Sequence, residues 1–415
     1  MKAVPLMISS LLLAFGAVVC LSAAEPSDWP QWRGPQRDGT VSSDAQWPEA
    51  LDKGRLMELW RVELQPSYSG PIVVGDQVFV TETRDKEYEV VSALDRNTGD
   101  VLWETKWEGA MSVPFFARAN GSWIRSTPAY DDGILYVGGI RDVLVALDAE
   151  TGKILWELDC VDAFDSKLPS FGFVCSPLIR GPHLFVQAGG GVLKLDKKTG
   201  ELIWRSLDDG GGMMGSAFSS PYVANLAGRE QLLVQTRTRL AGLDLETGEE
   251  LWSEEIPAFR GMNIVTPTTY QDLVLTSSYG GQTLAFTVVN EGDEQLASEE
   301  WANKIQGYMS SPVIIGDHLY LHLRNQRFAS IDLRTGETNW TSTPYGKYWS
   351  MVVNGDKILA LDERGELLLI AANPDAFELL GSCEVSDQET WAHLAVSDNQ
   401  VFIRELEGLV AYRWE

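Results

Sequence analysis

At 415 residues, 44% of them hydrophobic, the chain has room for two or three ordinary domains or for one large repeat array. Its 33 basic residues stand against 59 acidic ones for a net charge of −26, so phosphate backbones and anionic membrane surfaces are poor partners for the molecule as a whole, and no nucleic-acid partner is expected. Four cysteines and no C-x-x-C or C-x-x-C-H motif argue against a zinc ribbon or a covalent haem.

The chain opens on a targeting pattern. Lys2 supplies the positive end, residues 4–21 are apolar, and Ser22-Ala23-Ala24 offers small residues for cleavage. A signal peptide over residues 1–24 is expected, and with it export to the periplasm or beyond. A lipid anchor on Cys20 is the lesser reading, because Val18-Val19 precedes it where a small residue is needed; an uncleaved anchor would be the route to membrane association. Once Cys20 is gone, three cysteines remain. Cys160 and Cys175 fall in one connection and could bridge in an oxidising compartment, leaving Cys383 unpaired, although packing is the default role for all three.

Residues 25–55 follow, with Trp29-Pro30-Gln31-Trp32-Arg33-Gly34-Pro35 at their centre. A solvated linker has no use for two tryptophans and several backbone-restricting residues, so this segment reads as an ordered strap anchored by Trp29 and Trp32. Residues 56–63, with Trp60, read as an outer strand lacking its inner partners.

From residue 71 onward one unit recurs. A Ser-Pro or Thr-Pro start leads into apolar alternation, then Asp-x-x-Thr-Gly, then a tryptophan. Ala93-Leu94-Asp95-Arg96-Asn97-Thr98-Gly99-Asp100-Val101-Leu102-Trp103 is one clear ending, and residues 146–156, 194–204, 242–252 and 330–340 repeat it. The Asp, Thr and Gly predict a hairpin turn whose side chains bond nearby backbone N–H groups while Gly takes the positive φ. The tryptophan then docks on the next unit. Inner strands start at Pro71, Pro128, Pro177, Pro221, Pro267 and Pro312, with weaker starts at Met351 and His393. The last unit holds three strands, over residues 394–397, 400–405 and 408–414, so residues 56–63 would complete it and close a ring. The expected fold is all-β: an eight-bladed propeller of four-stranded antiparallel blades over residues 56–415, with seven blades as the rival count. The fifth unit replaces Thr-Gly with the longer Asn290-Glu291-Gly292-Asp293 stretch.

The A-x-D-x-x-T-G-x-x-x-W unit resembles the tryptophan-docking repeat of the pyrroloquinoline-quinone-type propellers, a superfamily of quinoprotein alcohol dehydrogenases and BamB-like proteins that assist outer-membrane protein assembly. The Trp-Pro-Gln-Trp-Arg-Gly-Pro segment resembles the mature N-terminus of exported propellers of this type in planctomycete-like bacteria. For the quinone enzymes the resemblance implies a vicinal cysteine pair, a Ca²⁺ held by carboxylate and amide oxygens, and a catalytic Asp. Adjacent cysteines do not occur in this chain. No cofactor or metal is therefore assigned, and a quinone with its Ca²⁺ stays the lesser reading.

Fold alone does not decide function. The segments joining each outer tryptophan to the next inner strand converge on the propeller axis. They carry Tyr68, Trp123, Arg125, Phe171, Phe173, Met213, Met214, Phe218, Arg260, Met262, Tyr308, Tyr348, Trp349 and Trp391. Aromatic, Met and Arg side chains around a concavity suit recognition of a peptide, a sugar or a planar ligand. The same residues read equally as a plug that packs the blades together. His318 and His322 share a strand face about 13 Å apart, too far to share a metal. Gly210-Gly211-Gly212-Met213-Met214-Gly215 fits G-x-G-x-x-G only in letters, since no βαβ unit surrounds it. No catalytic residue is assigned. The expected function is a monomeric, non-catalytic exported scaffold for a protein or peptide partner in the envelope, with outer-membrane protein assembly as the nearest analogy. The alternative is a quinone- or sugar-binding enzyme with its site on the axis.

Overall fold

The computed structural model describes residues 28–41, 47–209, 211–213, 215, 217–292 and 294–414. The leader read over residues 1–24, Cys20 and Met214 lie outside them. The described residues form eight four-stranded antiparallel sheets. In chain order the blades span residues 72–108, 129–159, 178–206, 222–255, 268–303, 313–341 and 349–384, and the eighth joins residues 395–414 to Leu56–Glu63. That last pairing runs from Leu56 opposite Trp414 to Glu63 opposite Gly408, which closes the ring with the chain's own two ends. The closure is clamped by an Arg61–Glu405 ion pair and by the Tyr412 hydroxyl, which donates to the Val385 carbonyl at 2.8 Å.

In the blades that keep the Asp-x-x-Thr-Gly unit, the turn owes its shape to its aspartate. Asp95 accepts from the backbone N–H groups of Asn97 and Thr98 at 2.8 and 2.9 Å, and Asp196, Asp244 and Asp332 repeat the arrangement. A glycine at positive φ then closes the turn, and its missing Cβ is what the neighbouring blade uses. The Trp301 indole lies over Gly336, where a Cβ would come within 2.5 Å of the ring, and its Nε1 donates to the Leu333 carbonyl at 3.0 Å. Trp60, Trp103, Trp156 and Trp204 dock in the same way over Gly99, Gly152, Gly200 and Gly248. A blade thus gains its covering layer from the blade before it.

Three junctions depart from the rule. Trp340 of blade 6 docks on blade 7 with its Nε1 donating to the Asn373 carbonyl at 2.9 Å, but that turn has no glycine, and Phe377 meets the indole edge-on at 5.7 Å. Trp252 still sits between blades 4 and 5, yet its Nε1 turns back to Gln231 of its own blade at 2.7 Å, across Gly242, where a Cβ would block it. Gln231 in turn donates to Gln295 and Asn290 donates to the Ala227 carbonyl, so the lengthened fifth hairpin reaches back to blade 4 with amides in place of a docked indole. In blade 7 the indole position is Gly381, opposite Leu369. The strap fills that gap: Leu51 bridges Gly381, and Trp47 meets Trp414 edge-on at 5.7 Å over a core that includes Cys383.

The Cys160–Cys175 bridge left open by the sequence is not made; both thiols are free and buried in the core between blades 2 and 3. Cys175 Sγ is occupied by the backbone N–H of Gln187 at 3.3 Å and its carbonyl at 3.4 Å.

Candidate functional site

The first half of the strap crosses one end of the axis. Trp29 pairs with Val73 of blade 1 in both directions, the Tyr130 N–H of blade 2 donates to the Pro30 carbonyl, and Val41 and Gly39 pair with Val353 of blade 7. Two guanidinium groups reach into the ring from this segment. Arg37 donates to the carbonyls of Pro177 and Ser176 at 2.7 and 3.1 Å, and Arg33 donates to those of Asp38 and Pro312. Burial pushes Arg37 down to about 9 and Arg33 to about 10, so both keep their charge at neutral pH and spend it on backbone oxygens. Trp32 lies beside both guanidiniums and forms the floor of the space left on the axis.

Above Trp32 the inner strands begin, and their period of two sets two inward layers. The layer next to Trp32 consists of Thr127, Ser176, Ser220, Thr266, Ser311, Ser350 and His393; two residues earlier in each segment, Arg125, Val174, Phe218, Ile264, Met309 and Trp391 form the layer above with Tyr68. The Ser-Pro and Thr-Pro starts thereby acquire a reason. Gly70 N–H donates to Thr127 Oγ1, Ser176 N–H to Ser220 Oγ, and Ser220 N–H to Thr266 Oγ1, at 2.9–3.0 Å, so these hydroxyls stitch blade to blade around the axis. The result is a blind well with a cavity volume of about 200 Å³. His393 meets Trp32 edge-on, and burial pushes it down to about 3, so it stays neutral.

Around the mouth runs an arc of rings. Tyr68 stacks on Trp391 at 5.0 Å, Trp391 meets Tyr348 at 4.4 Å, and the series continues through Tyr308, Tyr279 and Phe259. On the other side Phe218, Phe171, Phe116 and Phe115 follow one another. Cations sit over these faces: Arg125 over Tyr68, Arg237 over Phe218, Arg324 over Tyr279 and Arg260 over Phe259. Phe115 is 79% exposed, and Phe116, Phe259, Met213 and Met309 are exposed as well.

Of the residues singled out from the sequence, Tyr68, Arg125, Phe218 and Trp391 line the well, and Tyr308 and Tyr348 extend its rim. Arg260 and Met262 lie farther out, on a turn whose Arg260 carbonyl accepts from Arg237 at 2.6 Å. Three placements differ from expectation. Phe173 is buried between blades 2 and 3, where the bare Cα of Gly138 makes room for its ring. Trp349 borders the well, but its indole stacks on His322 at 4.8 Å and on Phe328 in the core of blades 6 and 7. Trp123 borders a separate surface pocket with Arg118 and Lys86, while its side chain hydrogen-bonds Tyr68 of the well. Sequence reasoning missed the hydroxyl layer, Trp32 as the floor, and the exposed Phe115–Phe116 pair. The recurrent Ser-Pro and Thr-Pro starts were the available signal for the first.

Among the described residues, no Asp, Glu, Asn or Gln lines the well, and no group of three His, Cys, Asp or Glu side chains could hold a metal. A Ca²⁺ needs six to eight oxygen ligands, and ligand pockets for larger organic molecules run from about 300 to 1,000 Å³.

A family model described as outer membrane protein assembly factor BamB matches residues 87–342. The BamB protein of Shewanella oneidensis is 24% identical over 283 residues, covering 66% of this chain and 64% of that protein. A polyvinylalcohol dehydrogenase from a Sphingopyxis species is 28% identical over 211 residues, 45% of this chain and 30% of that enzyme. The chain thus spans less than two thirds of the length of either relative. The crystal structure of BamB from Moraxella catarrhalis superposes with a TM-score of 0.63 at 17% identity, over 87% of this chain and 98% of that one, a likeness of fold alone.

Proposed function

The chain belongs to the family of the outer membrane protein assembly factor BamB, and from that premise we propose that it is an exported, non-catalytic propeller that binds a protein or extended peptide across its aromatic mouth, in the service of envelope assembly. The observation that carries this reading is the arc of exposed rings and arginines around the well. Phe115, Phe116, Phe259, Met213 and Met309 leave apolar surface in water on one face, with cations interleaved. Aromatic, Met and Arg side chains grouped in this way are the composition of protein-recognition surfaces. Among the described residues, the well beneath them is lined by no carboxylate and no thiol, and its one histidine is held neutral, so nothing there is suited to acid–base or nucleophilic chemistry.

The quinone chemistry that the names of some relatives imply does not transfer readily. A tricyclic cofactor with Ca²⁺ would need a larger space and oxygen ligands that this well does not provide. The residues present do not fit that group.

Site-specific photo-crosslinkers at Phe116 and Phe259, compared with one at Leu155 on the outer rim, test the proposal in envelope extracts. A polypeptide adduct formed at both mouth positions and absent at the rim supports it. Adducts distributed equally over mouth and rim, or none at the mouth, overturn it.

A further inference from the structure

We infer that the axial well is a carboxylate-binding pocket, and that it receives the carboxylate-bearing end of the polypeptide that the mouth recognises; the second half of this statement rests on the function proposed above. Among the described residues, the well is lined by donors and by no acceptor that carries charge. Among its lining residues, Arg125 Nε and Trp391 Nε1 are buried N–H groups that find no acceptor among the described residues; Trp349 Nε1 also lacks one, but its indole packs in the core of blades 6 and 7. Buried donors in folded proteins are almost always satisfied; Arg404 Nε and Trp414 Nε1 are unmatched in packed regions as well, and what sets Arg125 and Trp391 apart is the open space that their residues border.

Arg125 makes the case more specific. Its Nη2 donates to the Gly121 carbonyl at 2.8 Å and its guanidinium lies over Tyr68, but it has no ion pair with any carboxylate of the described residues. In a chain with a net charge of −26 an arginine at the mouth of a cavity has many potential acidic neighbours, and here none has been placed beside it. Arginine's planar fork matches a carboxylate with two parallel hydrogen bonds. Beneath it, Thr127 Oγ1, Ser220 Oγ and Thr266 Oγ1 each already accept a backbone N–H from a neighbouring blade. A hydroxyl that accepts in this way still has its own O–H to donate, so this layer also favours an acceptor-rich guest.

Size and wall chemistry narrow the guest. A cavity of about 200 Å³ closed below by Trp32 holds one residue, not a run of them. Tyr68, Phe218 and Trp391 offer apolar and aromatic surface at the level of Arg125, so an aromatic side chain and a carboxylate on the same residue use both features. A chain end meets this description; so does a free aromatic acid. The shared chemistry is the carboxylate, and the test separates the two sources.

The experiment uses the mature protein and four probes: N-acetyl-phenylalanine, its amide, and an eight-residue peptide ending in phenylalanine as the free acid or as the amide. Binding is read by tryptophan fluorescence and titration calorimetry. The acids are expected to bind at least tenfold more tightly than the matching amides, with the peptide acid tighter than the free acid. Trp391→Phe, which keeps the stacked ring and removes one N–H, is expected to weaken the acids several-fold and leave the amides unchanged; Arg125→Gln is expected to abolish the acid preference. Equal binding of acid and amide by the wild-type protein overturns the inference without relying on any variant folding. A free acid that binds as tightly as the peptide acid keeps the carboxylate pocket and removes the chain end as its guest. Crosslinks at Phe116 and Phe259 that persist with an amidated partner leave the proposed function standing while the carboxylate pocket falls.

Discussion

Replacing Gly336 with alanine tests the docking rule on which the ring depends. Gly336 has φ of +72°, and a Cβ there would lie 2.5 Å from Cδ2 of Trp301. Two costs follow: about 1–2 kcal/mol for a left-handed backbone conformation on a residue with a Cβ, and about 1–3 kcal/mol for forcing a packed indole aside. Gly336→Ala is therefore expected to cost about 2–5 kcal/mol. Trp301→Ala costs about 3–5 kcal/mol by itself. In that background the steric part disappears and only the backbone part remains, so the two changes should couple by about 1–3 kcal/mol. Gly355→Ala supplies the control, because its φ is +58° but nothing lies within 4 Å of the added Cβ. The assay is urea unfolding followed by fluorescence and circular dichroism, with slopes compared to confirm that the same transition is measured. If Gly336→Ala costs no more than Gly355→Ala, or adds to Trp301→Ala without coupling, the indole-on-glycine account of blade docking is refuted.

Trp47→Ala should cost about 3–5 kcal/mol and should raise hydrogen exchange first in residues 378–384, because the strap supplies the cover that blade 7 lacks at Gly381; protection lost evenly around the ring would contradict this. Burial raises Glu89 to about 8 and Asp142 to about 7 against the backbone donors Ile140 and Gly189. Both groups hold protons in the folded state that the unfolded chain releases near pH 4, so the stability they contribute is complete at about pH 4 and is lost as pH climbs through 7 and 8. Asp142→Asn retains an acceptor for Gly189 and has no charge to bury, so the fall in melting temperature between about pH 5 and 8 should be shallower than in wild type; an unchanged slope would remove Asp142 from the account. Pyrroloquinoline quinone with Ca²⁺ should give no saturable rise in melting temperature, and a rise that Arg125→Gln abolishes would restore the cofactor reading.

The repeat made the propeller legible because its signals are local. Asp-x-x-Thr-Gly dictates a turn through hydrogen bonds spanning two or three residues, and alternation dictates which side of a strand is buried. Even closure could be read, since residues 408–414 left a sheet one strand short and residues 56–63 supplied a strand with no sheet. The contents of the axis were less legible. Phe173 and Arg125 both lie in the segments that precede inner strands, yet one ring fills the space over Gly138 and the other side chain borders the well. Counted back from the following proline, Arg125 is three residues away and Phe173 four, so the period of two sends them to opposite sides; that the side away from the well holds room for a ring depends on a glycine thirty-odd residues away.

By itself the sequence determined the all-β repeat, because turn hydrogen bonding and hydrophobic period act within a few residues; it favoured eight blades over seven and the pairing of the two ends, and the closed ring decided both. Only the tertiary structure decided that the strap seals the axis with Trp32, that Leu51 takes the place of a missing indole at Gly381, and that hydroxyls and unpaired N–H groups share one blind well. Those features are set by eight inner strands brought side by side, and the distances between residues so far apart in the chain exist only once the ring has closed.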